Sequence, residues 1–263
     1  MEHGSTSAEA KSFDVIIVGG GPAGLFAAYY LSEHTRLKVL LIDKGKAPLV
    51  RKCPIEKRGC IHCQPCNILC GVGGAGLFSD GKLNFIHKLG KTDLTQFLNE
   101  AEAARLIDET EAIYTRFGMD GQVYPTDMEA AQAIRKQARK HGIDLLLIRQ
   151  KHLGSDNLPR HIAAMTDYIT SKNVTLHVSE TVERVCTEGG QVTGVVTNKG
   201  EYHAPYVILA PGRVGAEWVA GVARGLNIPL SQRGIEVGVR VELHNEIMQD
   251  ICSIIYDPTF FIR

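Results

Sequence analysis

The feature that most constrains this chain lies near its start. The apolar, β-branched run DVIIV (Asp14 to Val18) leads into Gly19-Gly20-Gly21-Pro22-Ala23-Gly24, followed by LFAAYYLSEH and a second apolar run, LKVLLID, ending at Asp43. The first run reads as a buried strand, the next segment as a helix, and LKVLLID as a second strand. Gly19-x-Gly21-x-x-Gly24 therefore sits between strand and helix, with an acid 19 residues after its last glycine. Gly19 permits the tight turn, Gly21 lets backbone approach a pyrophosphate, and Gly24 lets the helix pack closely on the strands. The helix start carries partial positive charge and, from Ala23 onward, free N–H groups to offer phosphate, Pro22 having no N–H of its own. Asp43 can accept hydrogen bonds from ribose hydroxyls, with Lys44 beside it. A glycine-rich turn also occurs for structural reasons alone, but here every part of the dinucleotide-binding context appears in order. Ala23, Ala27 and Leu31 recur every four residues and predict the small face of the helix against the sheet.

Composition narrows the class. The 263 residues suffice for one large domain or two modest ones, and 44% hydrophobic with 22% charged is ordinary for a globular protein. Lys plus Arg equals Asp plus Glu at 29 each, which argues against nucleic-acid binding through bulk charge. No apolar run approaches the roughly 18 to 20 residues of a membrane span. The opening MEHGSTSAEAKSF is polar, lacks the apolar centre of a secretion signal, and reads as a disordered leader over residues 1–12. Seven cysteines without an export signal point to a reducing, cytoplasmic setting, with thiols or metal ligands ahead of disulfides.

The later sequence bears on which dinucleotide is bound. TLHV, VERVCT and QVTGVVT read as short strands with turns at Gly189-Gly190 and Asn198-Lys199-Gly200, a β-meander that feeds the strand Tyr206 to Leu209 and the stop Ala210-Pro211-Gly212. GGGPAGLFAAYYL, the acid-tipped second strand, the meander and VILAPG together resemble the FAD-binding half of glutathione-reductase-like flavoproteins. GVGGAGLFSDGKLN, HLGSDNLPRHI, APGRVGAEW and GVRVE resemble a narrower group, the NAD(FAD)-utilising FAD-dependent dehydrogenases. The resemblance runs from Phe13 to the end. It implies an α/β, Rossmann-like FAD/NAD(P)-binding domain in which Asp43 holds ribose, the backbone at Val182 faces adenine, and Ala210 to Gly212 pass the dinucleotide. It also implies that residues 73–82 line the pyrophosphate and flavin side. Such proteins make a further flavin contact at a late Gly-Asp element. No such element is found in this sequence, which stops at YDPTFFIR, a segment resembling the middle of the family's substrate domain; the expectation is a fragment or a shortened relative that holds FAD weakly or not at all.

The expected organisation is a discontinuous FAD-binding domain (13–82 and 160–216), a mainly helical insertion (83–159) and the start of a substrate domain (217–263). Leu94, Phe97, Leu98, Ala101 and Ala104 follow helical spacing, and Thr126-x-x-Glu129 predicts a capping box for a helix stopping at His141-Gly142. DLLLIR (144–149) reads as a strand, Leu158 to Ile169 as a helix, and GIEVGVRVEL (234–243) alternates as a strand does.

Cys60, Cys63, Cys66 and Cys70 run in C-x2-C-x2-C-x3-C spacing, that of bacterial iron–sulfur ligation, but without the following proline or a second set. They are candidate ligands for a [4Fe-4S] cluster or, with His62 and Cys53 nearby, for zinc. They also suit a dithiol–disulfide pair or plain half-buried filling. In the next segment Gly73, Gly74, Ala75 and Gly76 allow backbone approach to a ligand, and Ser79 and Lys82 supply donors to phosphate or flavin. Arg51 and Lys52 can reach phosphate or simply be solvated. His152 and Arg240 are candidate contacts for an anionic substrate, each with a structural or surface reading beside it. No catalytic residue is assigned, since a flavin would carry the chemistry. The leading expectation is an FAD-dependent oxidoreductase acting on an unidentified small molecule or electron carrier, with NAD(P) as a candidate electron donor. Alternatives are NAD-derived chemistry of the thiazole-synthase type, or a non-catalytic dinucleotide- or metal-binding module.

Overall fold

The computed structural model describes residues 11–90, 92–154, 156–231 and 237–262. It divides into two compact units, residues 1–78 with 159–232 and residues 79–158 with 233–263.

The first unit is built on strands β1 (Val15–Val18) and β2 (Val39–Asp43), joined by helix α1 (Pro22–His34). After the excursion into the second unit come helix α2 (Leu158–Thr170), strands β3 (Val174–Val178), β4 (Val182–Glu188), β5 (Gln191–Thr197), β6 (Gly200–His203) and β7 (Tyr206–Leu209), and helix α3 (Ala216–Gly225). The parallel sheet has the order β3-β2-β1-β7. Every residue of β1 and β2 is buried, which is why both read as unbroken apolar runs: a parallel sheet is covered on both faces. Ile16, Val18, Leu40 and Ile42 pack against Val182, Val195, Tyr202 and Ala204 of the meander and its exit. The opposite face, marked by Ile17, receives α1: a Cβ placed on Gly24 would lie 3.4 Å from Ile17 Cγ2. The expected α/β, Rossmann-like architecture with a β-meander is thus what the chain forms.

Two local expectations shift. The buried face of α1 is Gly24, Leu25, Ala28, Tyr29 and Ser32, one residue on from the stripe Ala23, Ala27 and Leu31. Gly24 sets this register, since any Cβ there would come within 1.9 Å of the Gly19 carbonyl oxygen. Within the expected leader, residues 1–10 lie outside the described residues. Lys11 and Ser12 instead form a short strand parallel to Tyr202 and His203, using the free edge of the meander.

In the second unit the helix expected from Leu94 begins later. Leu94–Gln96 is a single 3-10 turn capped by Asp93, and the α-helix is Glu100–Arg116 with a capping box formed by Asn99 and Glu102. The next helix, Met128–Arg139, is capped by Asp127 rather than Thr126, whose hydroxyl donates to the Ser253 carbonyl. Asp127 wins because its carboxylate accepts the Ala130 N–H at 2.9 Å. The segment read as DLLLIR splits into strands Ile143–Leu146 and Arg149–His152. The strand expected over 234–243 is not formed by 237–243, which joins no sheet among the described residues, and 234–236 lie outside them. Among the described residues no helix is long and apolar enough to cross a membrane.

Candidate dinucleotide site

A cavity of about 600 Å³ opens where the carboxyl ends of β1, β2 and β7 meet the start of β4. Its floor is the glycine turn. Gly19 has φ +106°, and a Cβ there would meet the Ala210 carbonyl oxygen at 2.3 Å, so only glycine lets β1 and β7 exit side by side. Gly21 is different: its φ is −73°, and the nearest atom to an added Cβ is Gly74 Cα at 3.8 Å. The turn does not need glycine there. What needs it is the open space above the first turn of α1, whose N-cap carries no side-chain hydrogen bond. The free N–H groups of that turn are the donors a phosphate group takes up.

Asp43 is 8% exposed and its two oxygens accept the Gly20 N–H at 2.8 Å and the Gly45 N–H at 2.7 Å. It staples the glycine turn to the loop after β2, and each oxygen keeps a lone pair for a ligand hydroxyl on the cavity side. Lys44 follows on the cavity wall. The wall beyond is the corner Glu180, Thr181 and Val182, held by Glu180 N–H to Asp43 O at 3.1 Å and Thr181 N–H to Asn198 Oδ1 at 2.9 Å. The Glu180 carboxylate turns toward the meander. Burial pushes its pKa up, but hydrogen bonds from Thr197 and Tyr202 and the charges of His177 and Lys199 hold it below the ordinary value. The Tyr202 hydroxyl is correspondingly pushed up to about 12 by burial and by its bond to Glu180.

The expected site residues divide clearly. Gly19, Gly21, Pro22, Ala23, Asp43, Lys44, Gly74, Ala75, Val182, Ala210 and Gly212 all line this one cavity. Gly24 stands behind it, packed on Gly19. Gly73 also stands behind, donating its N–H to Gly20 O at 2.8 Å. A Cβ on Gly76 would meet nothing within 4 Å. Arg51 does not line the cavity but organises its wall. The guanidinium donates to the carbonyls of Asn67, Ile68, Val72 and Gly74 at 2.7–2.9 Å and to Gly71 at 3.3 Å. Burial lowers its pKa, offset by Asp43. Ser79 and Lys82 belong to the second unit, where Ser79 Oγ accepts the Gly81 N–H and Lys82 pairs with Asp257. His152 lies there too, packed on Tyr256 with ring centroids 3.7 Å apart and planes tilted by 40°, its Nε2 buried without a hydrogen-bond partner among the described residues. Arg240 is on the surface, paired with Glu242 at 3.0 Å.

The cysteines do not converge. Cys60 is exposed, Cys63 and Cys66 are half-buried, and Cys70 is buried in the cavity wall. Among the described residues no three His, Cys, Asp or Glu side chains are grouped as a metal ion requires. Close spacing brought these sulfurs onto one loop, but the Arg51 clamp turns its last part inward and leaves its first part outside. Cys70 also sits at the ribose-acid end, since a Cβ on Gly45 would touch the Cys70 carbonyl carbon at 2.5 Å. Burial raises the Cys70 pKa, opposed by Lys44, so the thiol is the stable form.

Several lining residues were not singled out from the sequence: Leu69, Glu180 and Thr181, and also Arg213 and Trp218, which lie inside the motif APGRVGAEW. Leu69 comes from the loop after β2, while the others lie up to about 200 residues from the glycine turn and come to the cavity with the meander and its return to the sheet.

Residues 17–63 match the family model described as an NAD(P)-binding Rossmann-like domain. An uncharacterized protein of Clostridium beijerinckii is 22% identical over 236 residues, 89% of this chain and 37% of that protein. The chain thus spans little more than a third of that relative's length. Ferredoxin–NADP reductase 1 of Shouchella clausii is 31% identical over 120 residues, 45% of this chain and 31% of the reductase. Among solved structures, glycine oxidase from Geobacillus kaustophilus covers 84% of this chain and 60% of its own, with 18% identity and a TM-score of 0.49. The turn and the acid-tipped second strand both fall inside the matched segment, so the Rossmann-like fold of the first unit lies where the similarity to an NAD(P)-binding domain is found.

Proposed function

We propose that the chain is an FAD-dependent oxidoreductase whose first unit holds the dinucleotide in the cavity described above. One observation carries the reading: the uncapped start of α1, the Asp43 carboxylate, the Thr181–Val182 corner and Ala210–Gly212 all face one space. Phosphate donors, a ribose acceptor and an adenine-facing backbone are the three groups an adenine dinucleotide requires, in the order it requires them. The β-meander in place of a second helical crossover supports FAD over NAD as the resident molecule, and the partial match to a ferredoxin–NADP reductase supports redox work. FAD, when bound, supplies hydride and electron transfer. The protein positions it: Asp43 and the glycine turn orient the adenosine and pyrophosphate, and Arg51 keeps the Gly71–Gly74 wall in place. Seven free cysteines support a reducing, cytoplasmic setting.

The experiment uses the sole tryptophan, Trp218, which lines the cavity and donates its indole N–H to Glu183 O. Titrating ligand-free protein with FAD should quench Trp218 emission saturably. Gly21→Leu should fold normally, because φ and space permit a side chain, yet raise the Kd by at least about tenfold by filling the phosphate position. Quenching that is absent, or unchanged in Gly21→Leu, overturns the reading. Metal analysis of the same sample tests whether the cysteines hold iron or zinc.

A further inference from the structure

The charged side chains around the cavity are unequal in their commitments. Its two acids are engaged: Asp43 by the Gly20 and Gly45 N–H groups, Glu180 by Thr197, with His177 and Lys199 beside it. Its two cations, Lys44 and Arg213, make no hydrogen bond or ion pair among the described residues. Their placement follows from the sheet. In the order β3-β2-β1-β7, Lys44 directly follows β2 and Arg213 follows β7 by four residues, so they flank β1 on its two sides. The glycine turn leaves the end of β1, between them. The Arg213 guanidinium is brought here by Gly212, whose φ of +64° turns the chain sharply after Pro211 and returns Arg213, Val214, Gly215 and Trp218 to the cavity wall.

Resting on the dinucleotide reading, we propose that Arg213 is a ligand-binding residue that, with Lys44, brackets the ligand's pyrophosphate from the two sides of the glycine turn. The backbone N–H groups of the turn and of α1 bind the phosphates by hydrogen bonds but carry only partial charge. A pyrophosphate diester carries two full negative charges, and two otherwise unpaired cations match them. Arg213 brings a planar fork suited to two phosphate oxygens, and Lys44 a point charge. The site so completed selects ligands by phosphate charge: ADP and adenine dinucleotides bind, while adenosine, which fills the same adenine and ribose positions, gains nothing from either cation.

The test compares ADP with adenosine on the full chain, read by Trp218 emission at several salt concentrations. Arg213→Gln is expected to raise the Kd for ADP about tenfold, the loss of one charge-assisted hydrogen-bonded contact. It should leave the Kd for adenosine unchanged and lessen the salt dependence of ADP binding. Arg213→Lys should recover part of the ADP affinity, and Lys44→Gln should act on ADP in the same direction. Equal losses for ADP and adenosine would make Arg213 an adenine-side or structural residue and overturn the proposal. So would an unchanged ADP Kd and salt slope. Wild-type protein that binds neither ADP nor adenosine would remove the dinucleotide reading itself, and the bracketing role with it.

Discussion

At the scale of single residues, Asp43 joins folding and binding in one carboxylate. Its oxygens satisfy two buried N–H groups of the turn and of the loop after β2. Asp43→Ala leaves both donors without an acceptor and should destabilise the fold by about 3 kcal/mol, measurable as a shifted urea midpoint at constant slope. Asp43 was legible from sequence because it ends an apolar strand at a fixed distance from the glycines. Glu180 was not, since nothing in SETVERV marks a carboxylate that becomes 3% exposed. Its depressed pKa has a pH consequence. The folded state holds its charged form more tightly than the unfolded chain does, so the stabilisation is complete above the unfolded pKa and is lost as pH falls through the folded value. Glu180→Gln should therefore flatten the acid limb of the stability–pH curve, and parallel limbs for the two proteins would refute this.

At the scale of elements, the strands of the parallel sheet and helices α1 and α2 were legible in the sequence, because burial on both sheet faces writes continuous apolar runs, whereas β6, α3 and the short elements at Lys11–Ser12 and Ile55–Arg58 were not. Side-chain registers were less accessible. The α1 stripe was displaced by one residue because the contact between Gly24 and the Gly19 carbonyl, a tertiary constraint, set the rotation of the helix. Thr126 lost its capping role to Asp127 because its hydroxyl found a carbonyl 127 residues away. Arg51 shows the same limit in the loop between β2 and the second unit. It read as a phosphate contact, and its five carbonyl acceptors make it the organiser of residues 67–74. Lysine has three donors on one atom and cannot span those carbonyls. Arg51→Lys should thus leave the sheet intact by far-ultraviolet circular dichroism while speeding proteolysis within residues 52–70 several-fold. Cleavage at the wild-type rate would show that the loop holds its shape without the clamp.

At the scale of the whole molecule, the alternation that predicted a strand over 234–243 survives in an unpaired form. Val237, Val239, Val241 and Leu243 are 87%, 89%, 70% and 56% exposed, with Arg240 and Glu242 between them. The alternation matches that of a strand, but no strand forms over 237–243, because a strand requires a neighbour to take its N–H and C=O groups. Among the described residues 237–243 finds none. Four exposed β-branched or aliphatic side chains at alternate positions of an unpaired stretch make a template for further pairing. The expected behaviour is weak self-association that grows with protein concentration and persists at high salt, since apolar contact is not screened. Val239→Lys places a charge at the centre of that row without touching any packed residue. It should shift the sedimentation-velocity distribution toward monomer at equal concentration while leaving the melting temperature unchanged. If the mutant and wild-type distributions coincide, residues 237–243 do not drive association, and their exposed side chains are tolerated as ordinary apolar surface.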